Sequence, residues 1–181
     1  MFDVASYADG AAALVLVNAD KIDAGKDAVL VAASQIATDT LAVHDRSDML
    51  AFDAVRISTQ DALNRAGVSL NEIDLFECWD APSIYGMLSL EAAGFAERGK
   101  GWRFATLENL SLGGKLPIAT MGGLKARGFA PGAAGIYQVV DAVQQLRGDA
   151  GQNQVQGARI AMTQALSTAG ASAITHILRR M

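Results

Sequence analysis

The chain has 181 residues, 51% apolar and 19% charged, with a formal net charge of −4. That length supports one substantial domain, because about 150 residues already bury roughly two-thirds of their unfolded surface. The composition excludes a disordered chain, and the acidic balance without a run of Lys and Arg argues against a nucleic-acid partner. The single cysteine, Cys78, excludes an intrachain disulfide and suits a reducing compartment, so the expected location is the cytoplasm. The N-terminal MFDVASYADG has no basic n-region and does not read as a signal peptide. The apolar run AAALVLV is shorter than the about 20 residues that span a bilayer, so no membrane partner is expected.

In chain order, Ala11 to Val17 is a continuous apolar run that suits a strand buried on both faces, and Ala28 to Ala33 reads the same way. A polar stretch around His44 to Asp48 precedes a helix over Phe52 to Ala66, where Phe52, Val55, Ala62, Leu63 and Ala66 fall at helical spacing. Gly67 stands at its left-handed end. A short connection over Val68 to Leu75 enters a strand ending near Cys78. Asp80 is placed to cap the next helix, with Pro82 in its first turn and Gly94 beyond its last residue, Ala93. Residues 95–131 are loop-rich and dense in glycine. Gly132 to Leu146 then gives the clearest amphipathic helix, with Ile136, Val139, Val140, Val143 and Leu146 on one stripe and Gly148 after it. Strands over Ala158 to Thr163 and Ala171 to Leu178 close the chain. The order predicts an α/β fold with a layered mixed sheet flanked by helices.

Segment Gly122 to Gly135 (GGLKARGFAPGAAG) is a glycine-rich loop feeding the amphipathic helix. Such a junction can present free N–H groups to an anion or an oxyanion; equally, its glycines can serve a tight turn with unusual dihedrals. It is neither a phosphate-binding Walker loop, lacking GK[ST], nor a dinucleotide fingerprint.

This segment and the following QVVDAVQQLRGDAGQNQVQGAR resemble the C-terminal signature of thiolases, in the branch of the sterol-carrier-protein-type and archaeal-like enzymes. DLFECWD at Asp74 to Asp80 resembles the strand and HD-containing loop of that family. LEAAG at Leu90 to Gly94 resembles its E-x-x-G, and DGAAALVLV at Asp9 to Val17 resembles the strand closing its N-terminal half. The resemblance implies a thiolase-like half, with residues 1–22 as the final strand of the missing N-terminal half and residues 23–181 as the C-terminal domain.

It also implies where chemistry should sit. The family's two catalytic histidines fall at Trp79 and Phe129, the cysteine some relatives place after HD falls at Ala81, and an asparagine preceding the paired glycines falls at Ala119. Indole donates one hydrogen bond but shuttles no proton, and phenyl does neither. No residue therefore reads as a confident catalytic group, and Asp80, Tyr85 and Cys78 are the remaining candidates. Strand alternation points Cys78 away from Trp79. His176 reads as a structural histidine within the last strand, and His44 sits in a polar loop. Two separated histidines and one cysteine make no metal site. The implied substrate is a coenzyme A thioester, with no further cofactor. Gly122, Gly123, Gly128, Phe129 and Trp79 would line its pocket.

Only a few residues precede the DGAAAL segment, which leads to the expectation of a second polypeptide carrying the thiolase N-terminal half with its nucleophilic cysteine, or of a homologous thiolase. A fragment of a longer chain is the alternative. Relatives of this branch also associate with a small zinc-ribbon and OB-fold protein, which makes a third chain an implied partner. The functions so implied are acyl transfer that makes or breaks a carbon–carbon bond, a non-catalytic structural or regulatory subunit, or, less directly, a retro-aldol lyase.

Overall fold

In a computed structural model, residues 3–22 and 28–181 are described. The chain forms β1 (Val29–Thr38), α1 (Asp53–Ala66), β2 (Leu75–Glu77) and α2 (Ser83–Ala93), followed by three short helices, α3 (Gly101–Phe104), α4 (Leu107–Leu110) and α5 (Gly123–Arg127). It closes with α6 (Ala134–Arg147), β3 (Ile160–Leu166) and β4 (Ser172–Arg180). The four strands form one sheet in the order β1-β4-β3-β2. β2 and β3 run parallel, with Phe76 opposite Met162, while β4 pairs antiparallel with both β1 and β3.

Side-chain alternation splits this sheet between two cores. Phe76, Met162 and Ile177 face α1 and α2, packing against Phe52, Val55 and Leu90. Their chain neighbours Leu75, Ala161 and Leu178 face α6, packing against Val139, Ala142 and Leu146. The fold is thus the expected mixed sheet between helices. The parallel β2–β3 pair demands a long crossover, which the chain supplies with everything from α2 to α6.

Several boundaries differ from the sequence expectation. β1 extends past the apolar run to Thr38, because its alternating second half keeps pairing with β4 down to Ser172. The glycine-dense stretch holds three one-turn helices instead of loop alone. Ala11–Val17, expected as a strand of a sheet outside this chain, pairs with no strand here, and its side chains face solvent, with Val15 at 90% and Leu16 at 78% exposure. Backbone groups with apolar neighbours form a strand only where a sheet edge meets them, and no edge of this sheet reaches that segment. None of the described helices is long and apolar enough to cross a membrane.

Candidate functional site

Where β2 ends, the chain Glu77–Cys78–Trp79–Asp80 turns across the sheet edge toward α2. Trp79 and Phe129, 50 positions apart in the sequence, meet edge to face with ring centroids 5.6 Å apart. Tyr85 lies 5.5 Å from Trp79 and stacks edge-on against Phe52 at 5.0 Å. Tyr7 lies 5.8 Å from Phe129, completing a continuous row of five rings. The two positions of the implied catalytic histidines are therefore neighbours, and what lies between them is apolar. Ala5, Ala81, Leu124 and Ala134 fill the space behind.

The N-terminal segment is what joins the two loops. Ala5 donates its N–H to the Ala81 carbonyl at 2.7 Å, Phe129 donates to the Ser6 carbonyl at 2.8 Å, and Ala8 donates to the Phe129 carbonyl at 3.0 Å. Gly128 makes this possible: its φ is +87°, and a Cβ there would stand 2.5 Å from the Ala8 Cβ. Asp3 completes the strap by accepting the Ser83 N–H at 3.0 Å and the Ser83 hydroxyl at 2.8 Å, and by pairing with Lys125 at 3.0 Å.

Asp80 does not cap the helix that follows it. Pro82 occupies that cap position in an extended conformation and offers no side-chain acceptor, so Asp3 serves the start of α2 instead. The Asp80 carboxylate reaches across to α5 and accepts the Leu124 N–H at 2.9 Å. Burial raises its pKa, opposed by the Leu124 N–H and by Arg127 and Lys125. Gly123 fits beneath it with φ +66°, where a Cβ would approach Asp80 Oδ2 to 2.2 Å. Of the two readings of the glycine segment, the left-handed turn is realised at Gly122, Gly123 and Gly128. The Leu124 N–H, which an external anion could have used, is occupied.

Cys78 points the other way, as alternation requires, into the core with Phe76 and Leu90. Burial, with Asp80 and Glu77 nearby, pushes its thiol far up, so it stays protonated. His176 lies on β4, its imidazole pKa lowered by burial, beside a cleft of about 700 Å³. Leu14, Val15, Val17 and Val31 line that cleft, which is separate from the aromatic row. His44 is exposed next to Asp45. Among the described residues no cluster of His, Cys, Asp or Glu could hold a metal ion.

The sequence reading passed over Glu77. Its side chain is 3% exposed and accepts both the Thr120 N–H at 2.9 Å and the Thr120 hydroxyl at 2.6 Å. The signal was present: an acidic residue directly after two buried strand positions needs donors. Ala119 carries a φ of +46° that asparagine tolerates better than alanine does.

A family profile described as "Thiolase C-terminal domain-like" matches residues 35–180. An acetyl-CoA acetyltransferase of Methanothermobacter thermautotrophicus is 41% identical over 181 residues, covering 99% of this chain and 47% of that protein. Human sterol carrier protein 2 is 32% identical over 173 residues, covering 92% of this chain and 32% of that one. Among solved structures, the Ltp2-ChsH2(DUF35) aldolase superposes with a TM-score of 0.70 at 24% identity, over 81% of this chain and 38% of that one. A monomeric SCP2-thiolase-like protein type 1 from Mycobacterium smegmatis superposes with a TM-score of 0.62 at 16% identity, over 83% of this chain and 28% of its own. At these identities the two structures attest the fold. The chain spans about half the length of the archaeal relative and a third of the human one.

Proposed function

The chain belongs to the thiolase C-terminal domain-like family, and from that premise we propose that it is the C-terminal half of a thiolase-type acyl-transfer site whose nucleophilic cysteine comes from a partner chain. The observation that carries this reading is the meeting of Trp79 with Phe129, which directly follows Gly128, while the chain's own thiol is buried in the core with Phe76 and Leu90. In this reading residues 1–22 are the final strand of the N-terminal half, held on this chain's own loops through Asp3, Ala5, Ser6 and Ala8. The exposed Leu14 to Val17 and the apolar cleft behind them are the surface that half would cover.

The partner's thiolate attacks the thioester carbonyl, coenzyme A leaves as its thiolate, and a carbon nucleophile then takes the acyl group, or the sequence runs in reverse. This chain's contribution is shape and dryness. The aromatic row excludes water from the acyl-enzyme, and the clamped glycine loop fixes the pocket wall. Neither Trp79 nor Phe129 can carry a proton, so proton transfer falls to the partner. A small zinc-ribbon and OB-fold protein is proposed as a further component. The solved neighbour whose name joins Ltp2 to ChsH2(DUF35) supports a partner of some kind.

The apolar contact between the two rings also favours a second reading, a structural subunit that lends its fold to an active thiolase. A retro-aldol lyase would instead need the Tyr85 phenol, 5.5 Å from Trp79, as its acid–base group. Purification of the tagged chain from its native cells, followed by native mass and composition, tests these readings. A stoichiometric chain with a thiolase N-terminal half, acylated on its cysteine by acyl-CoA, is the expected result. A self-associated chain with no such partner would overturn the split-site reading. A complete thiolase as partner, with turnover unchanged by Tyr85→Phe and by substitution of Trp79, would establish the structural one.

A further inference from the structure

The loop carrying Gly122 and Gly123 hangs between two carboxyl groups of one strand exit. At its start Thr120 gives both its N–H and its hydroxyl to Glu77, and at its end Leu124 gives its N–H to Asp80. Directly before the first pin Ala119 is strained at φ +46°, between the pins Gly122 and Gly123 take φ +96° and +66°, and the turn is closed by the Gly122 N–H to the Ala119 carbonyl at 2.7 Å. A strained turn persists only while its surroundings hold it. The charged groups facing Glu77 are Arg127 from α5 and Asp141 from α6, and these two pair with each other at 2.6 Å, so the guanidinium is already engaged. Along its own segment the neighbours are the protonated Cys78 and the carboxyl of Asp80.

We propose that Glu77 is a positioning residue whose protonation keeps the glycine loop docked on β2, and whose ionisation releases it. A buried carboxylate gains far more hydration when the loop opens than the neutral acid does. Burial pushes the Glu77 carboxyl up to about 7, so this exchange spans neutral pH. The sign follows from linkage: a carboxyl that binds its proton more tightly in the docked state favours docking at low pH, and that preference is lost as pH rises through about 7. The inference stands whether or not the loop lines an acyl-CoA pocket; if it does, the pocket wall is proton-gated.

The test is residue-resolved amide hydrogen exchange on the full chain between pH 6 and pH 8, corrected for intrinsic exchange, comparing the wild type with Glu77→Gln. An opening that fully hydrates Glu77 lowers the Thr120 protection factor about tenfold across that window, while the Gln variant, which cannot ionise, keeps its protection. Unchanged protection in the wild type overturns the proposal. So does an equal fall in the variant, which would move the effect to Asp80 or Asp141. Should Glu77→Gln fail to fold, the carboxyl carbon resonance of Glu77 in the wild type decides: a titration midpoint below about pH 5.5, near the ordinary carboxylate range, overturns it.

Discussion

Gly123→Ala puts the Asp80 clamp to a quantitative test. The residue has φ +66°, and an added Cβ would lie 2.2 Å from Asp80 Oδ2 and 2.9 Å from its Cγ. An L side chain in the left-handed region costs about 1–2 kcal/mol. The carboxylate must also leave, losing a charge-assisted bond to the Leu124 N–H worth about 1.5–3 kcal/mol. The sum, about 2.5–5 kcal/mol, is a large share of a typical domain's 5–15 kcal/mol. Urea denaturation at neutral pH measures it. In an Asp80→Ala background no carboxylate remains to be displaced, and the same substitution should cost only the conformational part, about 1–2 kcal/mol. A loss below about 1 kcal/mol, or equal losses in both backgrounds, would refute the argument that Asp80 is what excludes a side chain there.

Three further outcomes are expected. Glu77 contributes a pH dependence of stability: with an ordinary value of 4.5 unfolded and about 7 folded, its contribution is fully present below 4.5 and lost as pH rises to about 7. The loss is on the order of 3 kcal/mol, and urea midpoints of Glu77→Gln should lack that slope. Ala119→Asn, which suits the φ of +46°, should raise stability by about 0.5–1 kcal/mol in the same assay, and a destabilised variant would sink the strain argument. Trp79→His combined with Phe129→His, assayed with a partner supplying the thiolase N-terminal half, should raise acyl-transfer turnover at least about tenfold, since acid–base groups contribute about 10²–10⁴. No gain there would mean that missing proton carriers are not the sole defect.

The helix ends and the two-sided character of the sheet were legible along the chain because they depend on neighbours in sequence. Gly67, Gly94 and Gly148 each end a helix where a stop was read, and all three are left-handed. Trp79 and Phe129, singled out along the chain from separate motifs, stand with their rings in contact. What a carboxyl binds was not legible in the same way. Asp80 sits where a helix cap belongs, yet its carboxylate accepts the N–H of Leu124, 44 positions away. Its local task passes to Asp3, 80 positions distant from Ser83. Glu77 and Thr120 find each other across 43 positions.

Periodicity and capping are short-range statements, fixed by backbone geometry and the hydrophobic pattern, so the sequence by itself determined the α/β layers and the thiolase-type motifs. Which polar group satisfies which donor is decided only when the sheet closes and loops from distant elements are pressed together. A buried donor or acceptor must then take the partner that packing brings within reach. The strap over Phe129, the doubly pinned glycine loop and the buried carboxyl beneath it therefore belong to the tertiary structure.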